Sequence, residues 1–270
     1  MLTRLLRYFT SASPKVRRTL WKHWYQLLAN RYNKLNWPFM NYGYANPNEN
    51  EKGLHLQEED KEDRYFIQLY HHVASVADLS GKDVLEVGSG RGGGCSYIAR
   101  YLNPKSIKGM DFSGNAVNLC NQRYSIPNLT FCQGDAEAMP FDDRSFDVIL
   151  NVESSHCYGS MKKFVSEAVR VLKPGGIFSW ADLRPQEEIP ALNRIFSNSG
   201  LQLIKEKDIT LNVIHALGLM NDRKLKLIKK HVPKLVRKSF KDFAGTTESK
   251  IYNALKQRKK IYLSKVFKSK

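Results

Sequence analysis

In LEVGSGRGGG, residues 85–94, Gly88, Gly90 and Gly93 satisfy by the letter the G-x-G-x-x-G pattern of dinucleotide sites. Such glycines let a chain turn sharply off a strand and bring backbone N–H groups to a ligand at a helix N-terminus. Several cofactors use that arrangement, so the neighbouring residues must discriminate among them. Glu86, two residues before Gly88, suits an ammonium group and is unhelpful beside a pyrophosphate. Asp111 ends the next apolar run, where its carboxylate can accept hydrogen bonds from a ribose diol, and it fits either ligand. Asp135 follows Gly134 in QGDAEAMPFDDRSFDVIL, where a carboxylate beside a backbone N–H can read the amino group and a ring nitrogen of adenine. Met139-Pro140-Phe141 would give that base apolar cover. Together these groups fit a cationic amino acid joined to adenosine, with Gly88, Gly90 and Gly92 forming the turn and the match at Gly93 incidental.

Those residues act together only if a fold brings them to one edge. From Asp83 onward, short apolar runs alternate with helical patterns, which argues βαβ units and a parallel sheet. The pattern predicts strands over 84–87, 107–110, 129–133, 146–152 and 177–181. Helices are predicted over 93–102, 113–124 and 161–172, with Ser113 an N-cap and Lys173-Pro174-Gly175-Gly176 ending the third in a left-handed glycine cap. Segments 201–209 and 261–267 would close the sheet as edge strands, and 213–241 reads as helical and very basic. Two stretches read as weakly structured, 36–56 and 183–190, each a lid or an edge of a substrate pocket.

Charge is unevenly placed along the 270 residues, whose formal net charge is +17. Residues 1–48 hold eight Lys/Arg and no acid, and 223–270 hold seventeen against Asp242 and Glu248. The span between them, which carries the glycine motif, is mildly acidic. Basic ends attract anionic surfaces, whether lipid head groups or nucleic acid, unless they are simply solvated helix faces. The first twenty-five residues are Arg-rich and acid-free, the composition of an organellar transit peptide. Trp21, Trp24, Tyr25 and Leu28 fall at helical spacing and favour a basic amphipathic helix over 16–28, lying on a membrane or covering a substrate entrance. No apolar run is long enough for a membrane span, and Cys95, Cys120, Cys132 and Cys157 form no C-x-x-C pair, which suits a reducing compartment. His71-His72 and Cys157 lack partners at metal-ligand spacing, so no metal is expected.

Taken as a set and in order, LEVGSGRGG, GMDFS, GDAEAMPFDDRSFDVIL and RVLKPGG resemble the motifs of class I S-adenosylmethionine-dependent methyltransferases over residues 83–183. The resemblance implies an α/β fold: a Rossmann-like, seven-stranded, mostly parallel sheet with helices on both faces and an N-terminal helical cap. It divides the chain into a basic helical or lid segment, 1–60, and a methyltransferase domain, 61–270, with a basic helical insertion near 213–258. It implies that Glu86, Gly88, Ser89 and Gly90 hold the methionine part of S-adenosylmethionine, Asp111 the ribose, and Asp135 with Ala136 the adenine, with Phe112 a further cofactor-binding residue. Asn151 would contact the methionine or carry the turn into the active site, and Tyr42 would fold over the cofactor, Tyr44 beside it. NYGYANP, NVESSHCY and ADLRP further resemble the mycobacterial phthiotriolone and phenolphthiotriolone dimycocerosates methyltransferases, which methylate an oxygen on long polyketide-derived lipids. NVESSHCY and the Asp of ADLRP are also similar to sugar O-methyltransferases of indolocarbazole biosynthesis. The Lys-rich C-terminal region departs from the mycobacterial pattern.

Methyl transfer from a sulfonium is an in-line displacement, so the protein chiefly supplies alignment and a dry pocket. An alcohol acceptor must still lose its proton as the bond forms. His156 is the expected general base, Asp182 would orient it or bind the acceptor hydroxyl, and Glu153 is a further catalytic candidate. The expected enzyme therefore methylates an oxygen of a hydrophobic small molecule, lipid or polyketide-like, in the cytoplasm or at the periphery of a membrane. Carbon methylation of a sterol or quinone-like ring is the alternative. A nucleic-acid methyltransferase fits poorly, because Asn151-Val-Glu-Ser lacks the N-P-P-Y string and no Pro-Cys pair offers a nucleophile. A dinucleotide oxidoreductase is the most distant alternative.

Overall fold

A computed structural model describes residues 37–47 and 54–270; the amphipathic segment expected over 16–28 lies outside the described residues. Seven strands form one sheet: β1 (Asp83–Val87), β2 (Ser106–Asp111), β3 (Leu129–Gln133), β4 (Phe146–Val152), β5 (Leu172–Pro185), β6 (Gln202–Asp208) and β7 (Lys260–Lys268). Their order is β3-β2-β1-β4-β5-β7-β6, with β1 to β5 parallel and β7 antiparallel to both its neighbours. Helix α1 (Arg64–Ala74) precedes β1, while α2 (Gly93–Tyr101), α3 (Gly114–Arg123) and α4 (Met161–Val171) follow β1, β2 and β4. Helix α5 (Ile189–Ser197) joins β5 to β6. Helix α6 (Thr210–Leu219) and the basic helices α7 (Asn221–His231), α8 (Arg237–Ala244) and α9 (Lys250–Lys256) lie between β6 and β7.

The parallel strands are apolar on both faces because helices cover both. Along β4, Val148, Leu150 and Val152 join the core under α1, α2, α3 and α6, while Ile149 joins the core under α4 and α5. Helix α4 lays Phe164, Val165, Ala168 and Val171 against that second core in one stripe. Burying Phe164 fully contributes about 1.5–3 kcal/mol. The caps are local: Ser113 Oγ accepts from Ala116 N at 3.3 Å and Ser160 Oγ from Lys163 N at 3.2 Å.

Four segments differ from the sequence expectation. Helix α4 ends at Val171, because Leu172 is already buried in β5 opposite Phe146. Lys173-Pro174-Gly175-Gly176 is thus an excursion inside β5, pairing resuming at Val148 opposite Ile177, and the left-handed Gly175 (φ 73°) turns that excursion instead of capping a helix. Of the two expected edge strands only β6 is at an edge; β7 enters between β5 and β6 and is buried from Ile261 to Phe267, whereas β6 is exposed throughout. The expected loop over 183–190 is an extension of β5, with Leu183, Arg184 and Pro185 opposite Tyr262, Ile261 and Lys260, followed by α5. Within 36–56, residues 37–47 form an extended strap tied by Tyr44 N to Tyr65 O (2.9 Å), Ala45 N to Asn212 O (3.2 Å) and Asn212 Nδ2 to Ala45 O (3.1 Å).

The chain leaves β1 toward β2 on one side, and β4 lies on the other. In an open α/β sheet that reversal leaves a crevice beyond the carboxyl ends of the strands. The glycine turn ends β1 there, and Glu153 follows β4 into the same crevice.

Candidate active site

Gly88, Gly90 and Gly92 have φ of 81°, 53° and 78°, whereas Gly93 opens α2 with ordinary helical backbone. At Gly88 an added Cβ would stand 2.5 Å from Ser154 Cβ, so a side chain there would meet the loop after β4. The turn is held from β2: Gly88 N and Ser89 N donate to Met110 O at 2.7 and 3.1 Å. Asp111 accepts Gly90 N on Oδ2 at 2.9 Å and Ser113 N on Oδ1 at 2.8 Å. Burial raises the Asp111 carboxyl against those two hydrogen bonds. Each oxygen keeps lone-pair capacity for a further donor, as reading a diol requires.

A cavity of about 130 Å³ lies over this turn. Gly88, Ser89, Gly90, Asp111 and Phe112 line it from β1 and β2, Asp135 and Ala136 from beyond β3, and Glu153 from beyond β4. Ser89 Oγ is buried in that lining with no hydrogen-bond partner among the described residues. Asp135 Oδ1 accepts Glu137 N at 3.0 Å, fixing the carboxylate at the mouth of its own turn. A close-approach glycine turn, an orphaned hydroxyl and two carboxylates in a row fit an adenosyl amino acid. Met139 and Phe141 do not cover this cavity; Met139 is buried in the core and Phe141 packs edge-on against Phe146, ring centroids 5.0 Å apart. Phe112, Ala136 and Met110 are the apolar lining in their place.

Five expected site residues stand outside that lining. Glu86 is fully buried behind the turn, accepting Tyr70 Oη at 2.7 Å and Cys95 Sγ at 2.8 Å, because its strand position points toward α1 and α2. Burial pushes its carboxyl up to about 7, and it reaches the cavity only through Tyr70, which does line it. Asn151 is also fully buried, its Nδ2 donating to Val87 O (2.8 Å), Ser154 Oγ (2.8 Å) and Tyr158 Oη (3.0 Å). It ties the end of β1 to the loop after β4 and carries the turn instead of touching the cavity. Tyr42 lines a second cavity, described below, while its backbone N donates to Glu153 Oε2 at 2.8 Å.

His156 and Asp182, the other two, are brought together. His156 Nδ1 and Asp182 Oδ1 are 2.8 Å apart, and His156 N donates to Oδ2 at 2.9 Å. Asp182 is fully buried and also accepts Ser155 Oγ (2.7 Å) and Leu183 N (2.8 Å), with Arg184 Nη1 2.9 Å away. Burial opposes its charge, but Arg184 and His156 overcome it and hold the carboxyl well below the usual range. Burial likewise opposes the imidazolium, yet Cys157 and Asp182 push His156 up to about 10. At neutral pH the pair is therefore an imidazolium on a carboxylate. His156 stands beside Cys157, which does line the cavity.

Glu153 holds a left-handed φ of 49°, and its Oε2 also accepts Tyr262 Oη at 2.9 Å. Burial raises its carboxyl to about 8. Sequence reasoning missed Tyr70, Ser154, Tyr158 and Arg184. Ser154 and Arg184 sit inside quoted motifs, and Tyr158 ends one. Tyr70 carries no local signal, because its place depends on α1 packing over β1.

A second cavity, of about 370 Å³, adjoins the first through Met40 and Asn41, which line both. Its walls are the strap, the start of α1, α7 and α8. Among the described residues no group of three or more His, Cys, Asp or Glu is placed to hold a metal.

The methyltransferase domain family matches residues 85–180. The phthiotriol/phenolphthiotriol dimycocerosates methyltransferase of Mycobacterium tuberculosis is 39% identical over 235 residues, covering 87% of this chain and 86% of the relative. The fatty-acid O-methyltransferase of Mycolicibacterium smegmatis is 42% identical over 199 residues, 74% of this chain and 72% of the relative. Among solved structures, geranyl diphosphate C-methyltransferase from Streptomyces coelicolor, with S-adenosyl-L-homocysteine bound, superposes with a TM-score of 0.63 at 16% identity over 91% of this chain and 98% of that one. That likeness is one of fold.

Proposed function

The chain belongs to the S-adenosylmethionine-dependent methyltransferase family, and from that premise we propose that it methylates an oxygen of a hydrophobic acceptor, a lipid or polyketide-like molecule. The observation that carries the acceptor class is the second cavity, lined by aromatic and aliphatic side chains and joined to the first at Met40 and Asn41. The named activities of the two curated relatives, on dimycocerosates and on fatty acids, support the same class.

S-adenosylmethionine supplies an electrophilic methyl on a sulfonium and, when bound, would be held by the residues of the first cavity. Ser89 and the backbone of the glycine turn would take the amino-acid end, Asp111 the ribose hydroxyls, and Asp135, Ala136 and Phe112 the adenine. Tyr70, oriented by Glu86, closes the wall. For an alcohol acceptor we assign His156 the proton, with Asp182 fixing its tautomer and Glu153 in the first cavity, accepting from the backbone of Tyr42, which lines the second. Because His156 is held protonated to about 10, such a reaction speeds up as pH rises toward that value. An acceptor that arrives already ionised needs no base.

Incubation with methyl-labelled S-adenosylmethionine and lipid extracts, followed by NMR of the labelled product, tests this. An oxygen-bound methyl on a lipid is expected. A carbon-bound methyl, or label transferred to nucleic acid and not to lipid, would refute it.

A further inference from the structure

Inside the second cavity stands a cation that the chemistry above does not use. Trp37, Phe39, Phe66, Ile228, Phe240 and Phe243 give the cavity its apolar wall, with Trp37 edge-on to Phe243 (6.3 Å) and Phe39 stacked on Phe66 (6.0 Å). Lys224 lines it from α7. Its Nζ donates to Ala244 O at 2.9 Å and lies 5.5 Å from the centre of the Phe66 ring. Among the described residues no carboxylate stands within ion-pair distance of that ammonium. Arg223 beside it is engaged, its Nη2 3.2 Å from Glu62 and its Nη1 3.0 Å from Asp63. Glu59 and Glu62 are exposed on the rim, and His231 also lines the cavity.

We propose that this cavity binds the methyl acceptor and that the acceptor is an acidic long-chain lipid whose carboxylate pairs with Lys224, an assignment that rests on the lipid O-methylation described above. A lone ammonium in an aromatic chamber is costly unless a ligand brings the opposite charge. Burial accordingly pulls Lys224 down to about 7, and Glu153, the carboxylate whose field it feels, is itself raised to about 8 and so largely neutral. Lys224 stands over the ring of Phe66, whose carbonyl accepts Asn41 Nδ2 at 3.3 Å, and Asn41 lines both cavities, so the Lys224 end of the second cavity is the end next to the methyl donor. Phe240 and Phe243 on α8, with Ile228, leave the remaining volume apolar enough for a hydrocarbon chain.

The chemistry balances without a base. A carboxylate oxygen forms a bond to the methyl carbon as the carbon–sulfur bond breaks and its electron pair stays on sulfur. The negative charge of the acid and the positive charge of the sulfonium cancel, and no proton moves. Lys224 orients the acid, and its ion pair is relieved when the neutral ester forms, which favours release.

Calorimetric titration of the full chain with dodecanoate and with 1-dodecanol tests the assignment without turnover. Dodecanoate should bind at least about tenfold tighter than the alcohol, and Lys224→Met should lose about tenfold or more for dodecanoate alone. Lys224→Met keeps the side-chain volume and gives up one hydrogen bond, to Ala244 O, so it should fold, as its unaltered affinity for S-adenosylmethionine will show. Equal dodecanoate binding by parent and variant, or no preference for the acid over the alcohol, overturns the proposal. If the protein methylates lipid alcohols yet ignores dodecanoate, only the acidic acceptor falls; if S-adenosylmethionine itself does not bind, the family-based function falls with it.

Discussion

Replacing Asp182 by Asn removes one charge from the most heavily bonded carboxylate of the site. Asp182 accepts from Ser155 Oγ, His156 N, His156 Nδ1 and Leu183 N, and Arg184 Nη1 lies 2.9 Å away with a side chain only 6% exposed. An amide offers one acceptor oxygen and turns its NH₂ toward groups that are themselves donors. Ser155 Oγ already receives Trp180 Nε1 at 2.8 Å and Arg184 Nη2 at 2.7 Å, so it cannot turn away to compensate. Breaking a buried pair by removing one partner costs about 3–5 kcal/mol, because the remaining charge stays buried. For a chain of this size that lowers Tm by roughly 10 °C. The pH dependence has a definite sign. His156 is raised in the folded state from 6.5 to about 10, so its stabilisation is complete below 6.5 and is lost as pH rises through about 10. Asp182, depressed on folding, stabilises above the ordinary carboxylate range and loses that contribution in acid. Urea unfolding at a series of pH values should therefore show parent stability falling between 6.5 and about 10, with Asp182→Asn much flatter there. NMR titration of the His156 ring should move toward 6.5. A variant less than about 1 kcal/mol weaker at pH 7, with an unmoved His156 titration, would refute the idea that this pair is a buried structural charge cluster.

Asp111→Asn should weaken S-adenosylmethionine binding by roughly tenfold to a hundredfold, as expected for a lost charged hydrogen-bond acceptor, with little change in Tm; calorimetry decides. His156→Ala should slow methylation of an alcohol acceptor by about a hundredfold or more and abolish the rise of rate toward pH 10, leaving cofactor affinity intact. Unchanged turnover would remove His156 from the chemistry. Vesicle sedimentation probes the basic helices: with Lys226, Lys229 and Lys230 reversed to Glu, binding to anionic vesicles should drop and lose its salt dependence, whereas equal sedimentation would argue for a solvated face.

How far the sequence carried depends on the kind of residue. Strand and helix identities over 83–171 were legible because both periods are strong there, and Ser113 caps α3 as its type and place require. Failures came where burial overrode local signals. The Lys-Pro-Gly-Gly string looks like a helix stop, yet the demand to bury Leu172 had ended the helix already. Two similar apolar runs, 201–209 and 261–267, gave no sign that the later one inserts beside β5, since strand order is set by packing between distant segments. Asp111, Asp135 and the glycines line the cavity because they stand where strands end. Glu86 was expected at the ammonium and Asn151 at the methionine or carrying the turn; side-chain direction hands Glu86 to Tyr70 and Cys95, and Asn151 to the end of β1, where it carries the turn.

By itself, then, the sequence determined the α/β scaffold, the glycine turn and the row of acids at its edge, because strand period and turn chemistry are local. Only the tertiary structure decided that His156 shares a buried carboxylate with Arg184, that Tyr70 stands between Glu86 and the cavity, and that Lys224 faces the aromatic chamber. Those relations join residues from 16 to more than 170 positions apart, and the field and burial that set their charge states exist only once the helices have closed over the sheet.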